Sequence, residues 1–315
     1  ITYKEMNDID KFLIISKELG KDFSLIQGPG GNTSYKVNNE INIKKTGTYL
    51  KNSTEKEIFI KENLDELQTF YKNRNDNKKY RKELSIETPL HIIFKQRFVF
   101  HYHSILSIIL SVSKDLKEIK NICENLKIKW IPYKRPGNEL AKEISKFSTN
   151  ENNNKFFLQN HGMLIATNDI DEVLDEIYYF EKLFLEIIGI NKNNLYRKVE
   201  PEGVRDDGFY EYKFRNLDKQ KIINDRIFFP DHAVFANFEF KDIKHLNEKN
   251  EDKVVYLKDQ NFIVKKELLG IEIEILSAVF TIYNSSNKLC NYISNKDAAD
   301  LGVSEDEQFR IERNK

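Results

Sequence analysis

The chain has 315 residues, long enough for one large or two moderate domains around a substantial buried core. Its 50 Lys and Arg balance 50 Asp and Glu, so a formal net charge of zero supplies no global field to recruit nucleic acid or an anionic membrane surface. Hydrophobic residues at 40% and charged residues at 32%, with a mean hydropathy of -0.59, fit a soluble globular chain.

The longest apolar runs, such as Ile105 to Val112, fall far short of the roughly 20 residues that span a bilayer. Two cysteines, Cys123 and Cys290, are too few for a disulfide framework and both sit in apolar surroundings. With so few thiols, a reducing cytoplasm is the expected setting.

In chain order, Asp8 to Gly20 predicts a helix whose apolar face carries Ile9, Phe12, Leu13, Ile15 and Leu19, with Gly20 as its stop. Gln27 to Asn32 is a glycine-rich loop, followed by a hairpin of Ser34 to Val37 and Ile41 to Lys44 around Asn38-Asn39-Glu40. Residues 73–79 have no apolar member and predict a solvated excursion. Elements then alternate. Helix is expected over Glu87 to Phe94, strand over Arg97 to Tyr102, helix over Ile105 to Val112, strand over Leu126 to Ile131 and helix over Gly137 to Phe147. An asparagine-rich loop at 150–154 leads to strands Phe156 to Gln159 and Met163 to Ala166, then a long amphipathic helix between Asp169 and Gly189.

Beyond about Pro201 the texture changes, so residues 1–200 are read as the main domain and 201–315 as a smaller C-terminal α/β domain of unassigned role. Short strands are expected there at Arg226 to Phe229, Val254 to Leu257 and Phe262 to Val264, with a helix over Ile271 to Tyr283.

His101-Tyr102-His103 ends a predicted strand, and the period of two turns both imidazoles to one face, close enough to share a metal ion. Histidines so spaced are also common as plain surface or core residues. His161 lies in a turn between two apolar segments, where Gly162 lets the backbone bend and expose the ring; three nitrogen ligands suit a catalytic zinc with one position open. Glu87 reads in two ways: a carboxylate beside the metal acting as general acid or base, or an acid favoured by the positive end of a helix that has Pro89 early. Gly30 to Ser34 and Thr46-Gly47-Thr48 offer free amides and short polar side chains that suit a phosphate, or are turn punctuation only. His91, one turn after Glu87, His232, in an expected strand approach, and His245, in a charged region, are read as structural.

Taken in order, Gly30-Gly31-Asn32-Thr33-Ser34, Lys45-Thr46-Gly47-Thr48, Ser85-Ile86-Glu87, His101-Tyr102-His103 and Asn160-His161-Gly162 resemble the motif series of the class II aldolase and adducin family over roughly residues 8–190. The wording is most similar to the aldolase portion of rhamnulose-phosphate aldolase relatives. The resemblance implies an α/β/α sandwich around a largely antiparallel sheet, assembled as a homo-oligomer, a tetramer by preference. It also implies zinc on His101, His103 and His161, Glu87 as catalytic acid/base, and Asn32, Thr46, Gly47 and Ser85 at a substrate phosphate.

The implied reaction cleaves a ketose 1-phosphate to dihydroxyacetone phosphate and an aldehyde, with zinc as Lewis acid and Glu87 shuttling the proton. Ile86 departs from the family's sugar-phosphate aldolases, which often have a second serine there. The same chemistry serves epimerisation, dehydration or decarboxylation. A non-catalytic adducin-like module is the other class, against which the retained histidines and glutamate argue.

Overall fold

The structure is a computed structural model describing residues 5–73, 80–147, 153–191, 198–222, 224, 226–246, 253–286, 288 and 291–314. Most of the polar excursion expected at 73–79, the first part of the loop at 150–154, and Cys290 lie outside the described residues. Strands β1 (Asn32–Val37), β2 (Glu40–Lys44), β3 (Phe59–Asn63), β4 (Phe98–Tyr102), β5 (Lys129–Ile131), β6 (Asn153–Leu158) and β7 (Gly162–Thr167) form one sheet in the order β3-β2-β1-β4-β7-β6-β5. Every pairing in it is antiparallel except β5 with β6.

The alternation of side chains along the central strands divides the interior. On β4, Phe98, Phe100 and Tyr102 enter the larger core and Val99 the smaller one; on β7, Met163 and Ile165 face the first, Leu164 and Ala166 the second. Helices α1 (Asp8–Lys21), α4 (Ile105–Ser113) and α7 (Val173–Ile188) bury Phe12, Ile108 and Phe180 in the larger core. Helices α3 (Thr88–Ile92) and α6 (Asn138–Ile144) bury Leu90 and Leu140 in the smaller. The result is a sheet covered on both faces. His101 has the parity of Val99, which turns it toward the α3 side.

Three local expectations change. Gly20 does not stop α1, whose C-cap is Asp22; a Cβ on Gly20 would lie 2.2 Å from the amide nitrogen of Lys51, so glycine is there to let the turn Leu50–Asn52 dock on the helix. The segment 114–128 is largely helical: α5 (Leu116–Asn125) is capped by Asp115 and buries Ile119 and Cys123, which leaves only Lys129–Ile131 as strand. The apolar positions Ile119, Ile122 and Cys123 among exposed charged residues have the spacing of an amphipathic helix. The strand expected at Arg226 to Phe229 is reduced to a single bridge between Ile227 and Ile293.

A second sheet is built from β8 (Glu200–Val204), β9 (Tyr210–Lys213), β10 (Glu239–Asp242), β11 (Val254–Lys258) and β12 (Asn261–Val264), ordered β10-β11-β12-β9-β8. The helix Gly270–Ser285 carries Ile275, Val279 and Tyr283 into the same large core as Phe12 and Phe100. Its Glu274 accepts a hydrogen bond from the Gly28 amide, and Tyr49 donates to Asn314 at 2.9 Å, so residues after 200 hold the loops of the first sheet. Among the described residues, no helix is long and apolar enough to cross a membrane.

Candidate metal centre

The central strand β4 places His101 between Asn32 of β1 and Leu164 of β7, with His103 just past the strand end. His161 sits in the β6–β7 turn. Asn160 takes the left-handed conformation that this turn needs (φ 55°) and anchors it by donating through Nδ2 to the Phe228 carbonyl at 2.9 Å. Glu87 precedes α3, where Pro89 starts the helix, and its amide donates to Ser85 Oγ at 3.2 Å. The Glu87 carboxylate makes no capping bond, which separates the two readings of this residue: it turns to the histidines rather than to the helix end.

One ligand atom from each of Glu87, His101, His103 and His161 falls within 4.8 Å of the others, and all four residues are buried. The Nε2 atom of His101 lies 3.2 Å from Nε2 of His103 and 3.4 Å from Nε2 of His161. Glu87 Oε1 is 3.1 Å from Nε2 of His101 and 3.0 Å from that of His161. The outer nitrogens explain this convergence. His101 Nδ1 faces the Met163 carbonyl at 2.9 Å and His103 Nδ1 faces Asp231 Oδ2 at 3.0 Å; both partners accept only, so the ring protons sit on Nδ1. In the neutral rings, both Nε2 lone pairs then point at the shared centre. Bare lone pairs and a carboxylate oxygen repel at these separations, and a divalent cation coordinated by nitrogen and oxygen donors relieves that repulsion. The donor set fits such an ion.

Burial alone would raise the Glu87 carboxyl, but His101 and His161 hold it well below the ordinary carboxylate range. Burial opposes charge on His101 as well, yet the facing Glu87 lifts it above the usual imidazole value; His161 is pushed down to about 4 by burial.

Thr46, Gly47 and Ser85 line the cleft above this cluster together with Ile86, Lys44 and Arg310. Asn32 does not line it: its amide is buried at the β1–β4 ladder, and neither side-chain polar atom finds a hydrogen-bond partner. Lys44 donates to the Pro29 and Thr48 carbonyls at 2.7 and 2.9 Å, and burial lowers it to about 7. His91 pairs with Ser34 Oγ at 2.8 Å rather than with Glu87. His232 lies in the helix Pro230–Phe235, not in a strand approach, and its Nδ1 accepts from the Phe228 amide. His245 ends a short 3-10 turn after Asp242.

Asp231 and Arg310 are the site residues that sequence reasoning left unassigned. Asp231 was visible only as part of Phe229-Pro230-Asp231-His232, where Pro followed by Asp signals no more than a helix start. Arg310 lies in a polar C-terminal helix, Glu305–Glu312, with nothing local to distinguish it.

Residues 12–187 match the family model described as the Class II Aldolase and Adducin N-terminal domain, more than half of the chain. None of the curated proteins matches it. Among solved structures it is similar to the N-terminal class II aldolase domain of a conserved protein from Thermoplasma acidophilum, at 23% identity over 58% of this chain and 94% of that one, with a TM-score of 0.48. It is also similar to L-fuculose-1-phosphate aldolase from Thermus thermophilus, at 19% identity over 56% and 90%, with a TM-score of 0.39. An aldolase II superfamily protein from Pseudomonas syringae is 10% identical over 59% and 77%, with a TM-score of 0.40.

Proposed function

Since the chain belongs to the class II aldolase and adducin N-terminal domain family, we propose that it is a zinc-dependent carbon–carbon lyase that cleaves a ketose 1-phosphate to dihydroxyacetone phosphate and an aldehyde. The observation that carries this reading is the buried set of three Nε2 atoms and one carboxylate oxygen turned toward one another, with the outer nitrogens of His101 and His103 already committed to acceptors. Bound there, a divalent cation supplies Lewis acidity to the carbonyl and neighbouring hydroxyl of the ketose.

The chain's own groups do the rest. His101, His103 and His161 would hold the ion, and the Glu87 carboxylate, held well below the ordinary carboxylate range, stays ionised near neutral pH, ready to take a hydroxyl proton and return it to carbon. Thr46, Gly47 and Ser85 offer hydroxyl and amide donors to the phosphate end. Glu307 and Arg310 of the C-terminal helix also line this cleft.

Ile86 beside Ser85 removes a hydroxyl donor from that end and favours, as the second reading, an epimerase, dehydratase or decarboxylase acting on a less phosphate-dependent substrate. The deciding experiment loads the purified protein with zinc and assays dihydroxyacetone phosphate release from a panel of ketose 1-phosphates. Release that disappears on chelation and returns with zinc is the expected result. No release from any of them, alongside turnover in an epimerase or dehydratase assay, overturns the lyase reading.

A further inference from the structure

We propose that Asp231 is a positioning residue of the metal centre and that Arg310 is its counter-ion, which gives the region after residue 200 a direct part in the site. The inference rests on the reading of His103 as a metal ligand. Asp231 Oδ2 lies 3.0 Å from His103 Nδ1 across 128 residues of sequence, and Asp231 Oδ1 forms an ion pair with Arg310 at 2.6 Å. Glu307 also contacts Arg310, at 3.2 Å on the same helix. Asp231 is only 1% exposed. A buried carboxylate is expensive unless paired, and here both of its oxygens are engaged.

Three features make this more than a structural ion pair. A carboxylate accepting the Nδ1 proton of an imidazole fixes the tautomer, leaves the Nε2 lone pair aimed inward, and raises its basicity as a ligand. Nε2 of His103 is the atom that meets Nε2 of His101 at 3.2 Å. The glycine-rich loop also leaves room for the pair: a Cβ on Gly30 would lie 2.9 Å from Asp231 Oδ2 and 3.0 Å from His103 Nδ1. Finally, Asp231 and Arg310 lie beyond the family match at residues 12–187, so this chain supplies the support from its own C-terminal part.

The test is zinc affinity, measured by competition with a chromophoric chelator, for wild type, Asp231→Asn, His103→Ala and the double variant. Asp231→Asn is expected to weaken zinc binding by about 10- to 100-fold. In the His103→Ala background it is expected to weaken it no further, because the effect passes through that ring. Gly30→Ala, which keeps every charge and sets a methyl against both partners as well as the Gln27 carbonyl, gives a second route to the same loss should Asp231→Asn fail to fold. Equal affinity of the Asp231→Asn variant and wild type, or equal losses with and without His103, overturns the proposal. Wild type that binds no zinc overturns the metal reading itself.

Discussion

Gly162 presses against the end of β4, between His101 and His103: a Cβ there would lie 2.2 Å from the Tyr102 carbonyl oxygen and 2.9 Å from the His103 α-carbon. Its φ of +136° is also closed to other side chains without strain. Gly162→Ala is therefore expected to push β7 and the His161 turn away from β4, costing at least ~2 kcal/mol of stability. The diagnostic is zinc stoichiometry on whatever folded protein remains. A variant that binds one zinc per chain with wild-type affinity would show that the close approach does not set the site.

Gly162 also shows how far the sequence could be read. A bending role was legible from Asn160-His161-Gly162, but the left-handed residue of the turn is Asn160, and the glycine serves the approach of a strand 60 residues earlier in the chain. The hairpin, β4, β7 and α7 were readable because apolar spacing and turn residues are local signals. Convergence of His101, His103, His161 and Glu87 was readable only through the ordered motifs, since no local rule says that 161 returns to 101. Asp231 and Arg310 had no such motif: the contact of Asp231 with His103, and that of Arg310 with Asp231, depend on how the helices Pro230–Phe235 and Glu305–Glu312 dock.

Removing the metal should cost stability. An ion that binds the assembled cluster, and not the unfolded chain, stabilises by about 4 kcal/mol when its concentration is a thousand times its dissociation constant. Thermal unfolding with a chelator present is therefore expected at a lower midpoint than with excess zinc, and His101→Ala should abolish the difference. An unchanged midpoint under both conditions would count against a metal held by these residues.

Glu87 lies close enough to the histidines to be a ligand, and its chemistry as a base is separable from that. In Glu87→Gln the shape is kept and the proton acceptor is lost. Turnover is expected to fall by about 10²- to 10⁴-fold, the usual contribution of a positioned acid/base, with one zinc per chain retained. Retained activity would remove Glu87 from the proton path, whereas complete loss of zinc would make it primarily a ligand.

His232 provides the clearest pH signature because it is buried away from solvent and held neutral. Burial lowers it to about 3, from an ordinary value of 6.5. A depressed imidazole means that the unfolded chain takes up a proton which the folded one refuses. Its contribution to stability is thus fully present above pH 6.5 and is lost as pH falls toward 3. Between pH 6.5 and 5 the loss from this one group is about 2 kcal/mol. His232→Asn, which keeps an acceptor near the Phe228 amide, should flatten that part of the profile; urea unfolding at the two pH values measures it. Equal acid sensitivity in both proteins would place the effect elsewhere.

Gly20 supplies a prediction whose sign is opposite to the general rule. At an exposed helix interior, Gly→Ala gains about 1 kcal/mol by restricting the unfolded chain. In α1 the added methyl would meet the Lys51 amide nitrogen at 2.2 Å and the Leu50 carbonyl carbon at 2.6 Å, and backbone cannot rotate aside as a side chain can. Overpacking of this kind costs about 1–3 kcal/mol, so Gly20→Ala should destabilise despite its higher helix propensity. Chemical denaturation decides the sign directly. Stabilisation by the usual amount would mean that the turn Leu50–Asn52 is free to move off the helix; the Ser53 hydroxyl, which donates to the Leu13 carbonyl at 2.6 Å, and the complete burial of Leu50 argue that it is not.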